Sequence, residues 1–499
     1  MSTSKSLDDV LQEYEILKTE THLESYPFVS LEARKLGEWR PLLKDYVLLE
    51  PGIRQIIIDE EHPGNKIIHL KKGTTVDSLP TELREKFRAN NLEINIRDVL
   101  VGTNHLRYDE VISRLLPENV PSVSSFETIG HIAHLNLRDE HLPYRSFIGQ
   151  VILDRCPQIR TVVNKTENIK NEFRVLPMEV IAGDDDTDVQ MKEHGINFVF
   201  DYRTVYWNSR LQDEHTYLVE QCHDNEVVAD LFAGIGPFAV PMACAHQSPS
   251  SAKARCFVYA NDLNPSSYEY LKQNVRLNNV EDRVVCMNED GRKAVHVVIE
   301  MIRQHISERD QTLGENPPDP EAGEKRMRVE PQPKRGRKPK PPPVPFNYFT
   351  IPSRFVMNLP DSAPEFLDAF VGCLSPLFLS TELKDNQTII NTITSQSFSS
   401  ATSHLLVPPS STYSPLPFVH CYYFTRARPE DRPAEFVERA ANAFGGFRID
   451  SQLASDTTHT LSDILSLREI RDVAPLKVMV CAMFRIPFQL AFKGVLEGT

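Results

Sequence analysis

Four strand-like runs, each closing on a polar turn, constrain this chain more than any other feature. They are EVVADLF (226–232), CFVYAND (256–262), RVVCMNED (283–290) and FVMNLP (355–360). Stretches with helical spacing follow the first three. Strand and helix alternating in this way is the pattern of a doubly wound parallel sheet. The expected fold class is α/β for residues 202–499, preceded by a smaller α+β region.

The α+β region reads as two pieces, 1–97 and 98–201. DYVLLEPGIRQIIIDEE (45–61) has two apolar runs about a Pro-Gly turn and predicts a strand pair. RYDEVISRLLPENV (107–120) predicts a helix stopped by proline, and a second helix should begin near Pro143. Residues 161–183 read as two strands around a polar link. Within 202–499, residues 303–346 are proline-rich, charged and poor in large apolar side chains, which predicts a disordered insertion. Residues 376–416 are a second loose segment, rich in Ser, Thr and Pro. REIRDVAPLKVMVCAMFRIP (468–487) predicts one further apolar strand.

Composition excludes some classes. No run of eighteen apolar residues occurs, so no membrane span is expected. The N-terminus MSTSKSLDDVLQEYE is acidic, unlike a secretory or mitochondrial leader. Eight cysteines with no C-x-x-C pair suit buried thiols in a reducing compartment, not a disulfide frame or a zinc site; no metal ligand is expected. The net charge of −14 by itself disfavours nucleic acid, although only a basic face, not the total, decides that.

The turn after the first strand, DLFAGIGPFAVP (230–241), contains Gly234-Ile235-Gly236-Pro237-Phe238-Ala239, a G-x-G-x-x-A pattern. The first glycine of such a pattern allows a tight turn, the second a close approach to a ligand, and the small third residue lets helix pack on strand. A dinucleotide fold sets its pyrophosphate on backbone N–H groups here. Pro237 donates none, and Asp230 adds negative charge. Both suit S-adenosylmethionine, whose sulfonium, ammonium and ribose hydroxyls are better served by carboxylates.

Asp262 ends the second strand, as either a ribose acceptor or the N-cap of the helix behind it. Asp290-Gly291 ends the third, where a carboxylate can accept from the adenine amine and a glycine leaves room for its ring, or as an ordinary turn. Asn358-Leu359-Pro360-Asp361 ends the fourth. It presents an amide and a rigid carbonyl to a planar base, or is a plain proline turn.

GHIAHLNLR (130–138), YWNSRLQDEH (206–215), DLFAGIGPFAVP, ANDLNP (260–265) and FVMNLPDSA (355–363) together resemble the eukaryotic and archaeal tRNA guanine N1-methyltransferases. The resemblance runs from about residue 98 to 370 and resumes at REIRDVAP; the first forty or so residues lie outside it. It implies a Rossmann-like class I methyltransferase domain. The activity it implies is methyl transfer from S-adenosylmethionine to N1 of the guanosine at tRNA position 37, 3′ of the anticodon, with inosine as a further substrate. By resemblance the cofactor residues are His215, Phe232, Gly234, Asp262, Leu263, Asp290, Gly291 and Asn358. Tyr206, Arg138 and Pro360 fall on the substrate side. Glu214 matches the general base and Arg174 the group that steadies O6.

Read without the resemblance, Ser209-Arg210-Leu211-Gln212 is a capping box, so a helix begins near Arg210. Arg210 and Glu214 then share a face and read as a surface ion pair. Arg174 reads as a strand-edge arginine. KRGRKPK (334–340) suits a nuclear localisation signal, an RNA-binding arm or a solvated linker. Two competing functions stay open: a catalytically silent RNA-binding protein with a relic fold, and a methyltransferase for another base. The resemblance further implies a tRNA-binding monomer of the cytoplasm and nucleus, and extends to the mitochondrial matrix.

Overall fold

The computed structural model describes residues 5–50, 53–103, 106–167, 172–244, 256–315, 351–377, 416–449 and 465–493, with side chains given to Gln304 in the helix ending at Glu315 and withheld at 488–489. The chain forms two compact units, one of residues 1–168 and 177–187, the other of 169–176 and 188–499.

The first unit holds two sheets. Helix α1 (Leu7–Thr19) leads into β1 (Thr21–Glu32), followed by α2 (Leu36–Leu42), β2 (Ile56–Ile58), β3 (Asn65–His69), α3 (Thr81–Ala89) and β4 (Asn95–Gly102). The four strands make an antiparallel sheet in the order β2-β3-β1-β4. Trp39 of α2 meets Phe87 of α3 edge-on at 5.3 Å in its core. The strand pair expected at 45–61 is not formed. Val47 makes only an isolated bridge to Leu70, while β2 pairs with β3. The Ile56–Ile58 run finds a longer partner in β3, and pairing follows that partner instead of the nearby Pro-Gly.

Helix α4 (Tyr108–Leu115), β5 (Glu127–Ile129), β6 (Ile132–Leu135), α5 (Arg145–Arg155), β7 (Thr161–Lys165) and β8 (Met178–Gly183) complete the unit, the strands in sequential order. Its core gathers Tyr14, Val111, Ile112, Phe147, Ile148 and Val162.

The second unit opens with the hairpin β9 (Asp188–Glu193) and β10 (Ile196–Asp201), then α6 (Gln212–Gln221). The hairpin thus belongs with the residues after 202. Next come β11 (Val227–Asp230), α7 (Ala239–Ala243), β12 (Phe257–Asn261), α8 (Pro265–Leu277), β13 (Val284–Met287), α9 (Gly291–Glu315), β14 (Arg354–Met357), β15 (Phe418–Thr425), α10 (Arg432–Ala443), β16 (Leu465–Ala474) and β17 (Lys477–Arg485).

The seven strands run β13-β12-β11-β14-β15-β17-β16, parallel from β13 to β15 and antiparallel beyond. Every residue of β11 and β12 is buried, as a strand covered by helices on both faces requires. The expected doubly wound sheet is therefore present. Its far edge differs from expectation, because residues 465–485 supply a two-stranded hairpin where one strand was expected. β15 went unforeseen. Helix α9 also runs to Glu315, so residues 303–315 are helical; the rest of the 303–346 insertion, KRGRKPK included, lies outside the described residues. Of the loose 376–416 segment, only its ends are described.

Strand order reverses between β11 and β14, whose C-terminal ends lie side by side. In open α/β sheets, ligands bind at such a switch point. The core beneath includes Phe355, Met357, Leu367, Phe370 and Phe436. Each large side chain buried there contributes about 1.5–3 kcal/mol.

Candidate active site

The glycine turn follows β11 directly. Gly234 has φ +56 and an added Cβ there would meet nothing within 4 Å, so the backbone faces open space. Gly236, at φ +98, is different. A Cβ there would lie 2.7 Å from Val240 Cγ2 and 2.9 Å from Leu271 Cδ1. The open approach thus belongs to the first glycine, and the second lets α7 pack against α8.

Three strand ends are tied together by side chains. Asp262 accepts from Gly234 N–H at 2.8 Å and from Asn264 N–H at 2.9 Å. Asn264 caps α8 by accepting from Ser266 N–H at 3.0 Å, so the helix cap is not Asp262. Asn261, fully buried, donates to the carbonyls of Leu231 (3.1 Å) and Glu289 (2.9 Å) and accepts from Glu289 N–H (2.9 Å). Asn288 donates to the Leu263 carbonyl at 3.0 Å. Asp290 accepts from Arg292 N–H at 2.9 Å and serves as a cap for α9. The space over Gly291 is filled by the Phe232 ring, 2.7 Å from a would-be Cβ. That ring in turn packs edge-on against Phe366 at 5.1 Å.

Burial sets the electrostatics. Asp230 is fully buried and its carboxyl is pushed up to about 8, chiefly by desolvation, with Asp262 adding to the rise. Asp262 is pushed up to about 6 by desolvation, against the two N–H donors that lower it. Asp230 Oδ2 and Asn358 Oδ1 are buried acceptors with no hydrogen-bond partner. Uncommitted buried acceptors and an open backbone at Gly234 fit a ligand rich in hydroxyl and amine donors, as S-adenosylmethionine is.

Glu214 does not lie on the surface beside Arg210. It is 3% exposed. The helix cap is Asn208, accepting from Arg210 N–H at 3.2 Å, and not Ser209; a single 3-10 turn then precedes α6. That places Glu214 inward and leaves Arg210 exposed. The carboxylate accepts from the Tyr422 hydroxyl at 2.6 Å and pairs through both oxygens with Arg468. Neither partner was identifiable from spacing, since both come from strands far along the chain.

His215, also buried, shares a 2.7 Å contact between Nδ1 and Glu193 Oε1. Its ring meets Phe238 edge-on at 4.6 Å, and Phe238 stands 5.8 Å from the Tyr422 ring. The glycine turn, His215, Tyr422 and Glu214 are therefore contiguous. On the other side, the Pro360 carbonyl accepts from Phe424 N–H at 2.9 Å, two residues along β15 from Tyr422. Arg174 pairs with Asp361 of the same turn. Tyr206 is 41% exposed, its hydroxyl accepting from Asn208 Nδ2 at 3.1 Å. Arg138 is the one candidate in the other unit, where its side chain is largely exposed. Among the described residues no cluster of metal-ligating side chains occurs, and no helix is long and apolar enough to cross a membrane. All eight cysteines are free thiols.

Residues 189–307 match the TRM5/TYW2 methyltransferase domain and residues 108–187 the TYW2 N-terminal domain. Among curated relatives, a tRNA (guanine(37)-N(1))-methyltransferase of Phytophthora infestans is 36% identical over 93% of this chain and 90% of its own. Proteins of the same name from Schizosaccharomyces pombe and Danio rerio are 33% and 31% identical, over 93% and 94% of this chain and 92% and 80% of theirs. A solved Trm5–tRNALeu complex shares the fold, with a TM-score of 0.51 at 17% identity, covering 92% of this chain and 99% of that one. A glycine turn on a switch-point sheet and near-full-length similarity to these relatives lead to one conclusion: the chain belongs to the tRNA (guanine(37)-N(1))-methyltransferase family.

Proposed function

We propose that this protein transfers a methyl group from S-adenosylmethionine to N1 of the guanosine at tRNA position 37. The observation that carries the reading is the buried Glu214 carboxylate, linked through Tyr422 and Phe238 to the glycine turn. Near-full-length relatives of that name support the choice of substrate.

When bound, S-adenosylmethionine would supply an electrophilic methyl on a sulfonium, giving up its S–CH3 bond and leaving as the neutral thioether S-adenosylhomocysteine. The turn at Gly234, the Asp262 carboxylate and the buried Asp230 carboxyl would hold it; Phe232, Leu263, Asp290, Gly291 and His215 would shape the surrounding wall. Guanine N1 carries a proton at neutral pH, and that proton must leave as the N1–CH3 bond forms. Glu214 accepts it. The proton grows acidic as positive charge builds on N1, so a carboxylate is a sufficient base. Arg174 faces O6 and steadies its negative charge. Asn358 Oδ1 accepts from a base amine, with the Pro360 turn fixing its position. Tyr206 stacks on the extruded base, and Arg138 meets the RNA backbone.

By resemblance to its family we place the enzyme in cytoplasm and nucleus, extending to the mitochondrial matrix, and acting as a monomer; the free thiols are compatible with reducing compartments. The test is labelled-methyl transfer to an unmodified tRNA transcript carrying guanosine, inosine or adenosine at position 37. Labelling of the guanosine transcript that drops about 10²–10⁴-fold with Glu214→Gln is expected. Equal labelling of the adenosine transcript overturns the substrate.

A further inference from the structure

We infer that Arg468 and Tyr422 are positioning residues for the base: they give the buried Glu214 carboxylate its counter-charge and hold it in one orientation. The inference rests on the reading of Glu214 as general base.

A carboxylate 3% exposed has lost its water shell and needs a compensating charge and donors to remain an anion. Three strands and its own helix surround Glu214 with charged and titratable groups. β16 brings Arg468, whose guanidinium binds both carboxylate oxygens. β15 brings Tyr422, buried, its hydroxyl donating at 2.6 Å. β17 brings Cys481, a buried thiol that desolvation keeps protonated. α6 itself brings Tyr217, whose ring lies under the Arg468 guanidinium at 3.7 Å. His420, also on β15, is buried and held neutral, its ring pushed down to about 3 by desolvation and by Arg354 and Arg468. Arg468 is therefore the one cation on the carboxylate among the described residues.

The guanidinium is itself fixed. Tyr217 stacks on one face, and Arg468 stands opposite Cys481 in the β16–β17 register. A register shift between Glu469 and Arg471 follows at once, the kind of irregularity that re-aims side chains beside active sites. With both oxygens held by one guanidinium nitrogen, and one of them also by the Tyr422 hydroxyl, the carboxylate is kept in one orientation. A proton arriving from N1 therefore meets a lone pair in a set direction.

The experiment is single-turnover methyl transfer from pH 5.5 to 8.5 with the full chain and a position-37 guanosine transcript. Arg468→Gln leaves the buried carboxylate without its counter-charge, which disfavours a charged base. The acidic limb is expected to move up by about 1–2 pH units. The rate should fall about tenfold at pH 6 and recover toward the unsubstituted enzyme by pH 8.5. Arg468→Lys should return the limb most of the way, and S-adenosylhomocysteine affinity should stay unchanged. Tyr422→Phe removes one hydroxyl and should move the limb the same way by less; it carries the test if Arg468→Gln does not fold. A limb that stays in place, or a loss equal at every pH, overturns the inference. Glu214→Gln separates the two readings. Inactive Glu214→Gln with an unmoved limb in Arg468→Gln sinks the positioning role alone, whereas active Glu214→Gln sinks the base assignment.

Discussion

The Arg174 guanidinium is paired with the Asp361 carboxylate, 187 residues further along the chain. Arg174 also has φ +58, a left-handed backbone that non-glycine residues adopt at a cost of about 1 kcal/mol or more. A strained backbone and a charge partner in the Asn358-to-Asp361 turn together fix where this cation points. Arg174→Ala should lower the methyl-transfer rate about 10²–10³-fold, as for loss of a charge-stabilising donor. Asp361→Asn keeps the cation but frees it, and a milder loss of about tenfold is expected. Single-turnover rates at saturating cofactor decide this; an Asp361→Asn enzyme at full rate would show that the anchor is dispensable.

The two glycines of the turn should separate cofactor affinity from stability. Gly236→Ala drives a methyl into Val240 and Leu271 at a backbone angle alanine resists, so a loss of about 2–4 kcal/mol is expected in a denaturant melt. Gly234→Ala meets no neighbour and should cost only the backbone strain, about 1–2 kcal/mol. Its methyl would instead project into the space proposed for the cofactor, so calorimetry should find S-adenosylhomocysteine affinity down by about tenfold or more. The reverse pattern would relocate the ligand.

Asp262 gives a pH dependence with a definite sign. Its carboxyl is raised to about 6 by desolvation, from an ordinary 3.8. The ligand-free fold thus holds this proton more tightly than the unfolded chain. That share of stability is full below about pH 4 and lost as pH rises through about 6. Binding runs the other way, because ribose hydroxyls need the ionised acceptor. S-adenosylhomocysteine affinity should therefore weaken as pH falls below about 6, and Asp262→Asn should remove that step. Asp230, raised to about 8 chiefly by burial, should give a second step that persists in that variant but moves down, because the Asp262 charge adds to the rise. Titrations at several pH values read both.

Asn358 Oδ1 is a buried acceptor with no partner, which native proteins rarely keep without a use. Asn358→Leu removes the unsatisfied group at similar volume. The ligand-free protein should gain up to about 1 kcal/mol while methyl transfer falls about tenfold or more. A variant that gains nothing in the melt and keeps its rate would mean that the amide serves neither end.

How much of this was legible beforehand follows from the range of each interaction. β11 to β14 and the acid-ended turns are written in short windows, since a strand, a glycine pair and a carboxylate lie within a dozen residues. The resemblance pointed to Glu214 and Arg174 without their surroundings. Arg210, four residues before Glu214, was the natural partner by spacing, but the Asn208 cap and one 3-10 turn rotate Glu214 inward. Its real partners, Tyr422 and Arg468, are 208 and 254 residues away, beyond any periodicity. Asn261 was hidden differently, being one letter before the acid that drew attention. The 45–61 pair failed because its second half found a better strand to join.

The seven-stranded sheet also imposes an order in time. Synthesis runs from the N-terminus, and the glycine turn, Asp262 and Glu214 leave the ribosome long before β16. Until residue 468 emerges, Glu214 has no cation to face. The core beneath the glycine turn also takes Val480, Phe484 and Leu490 from that last stretch of chain. A prematurely ended chain therefore lacks two things at once, the counter-charge of its buried acid and part of the packing that supports the turn.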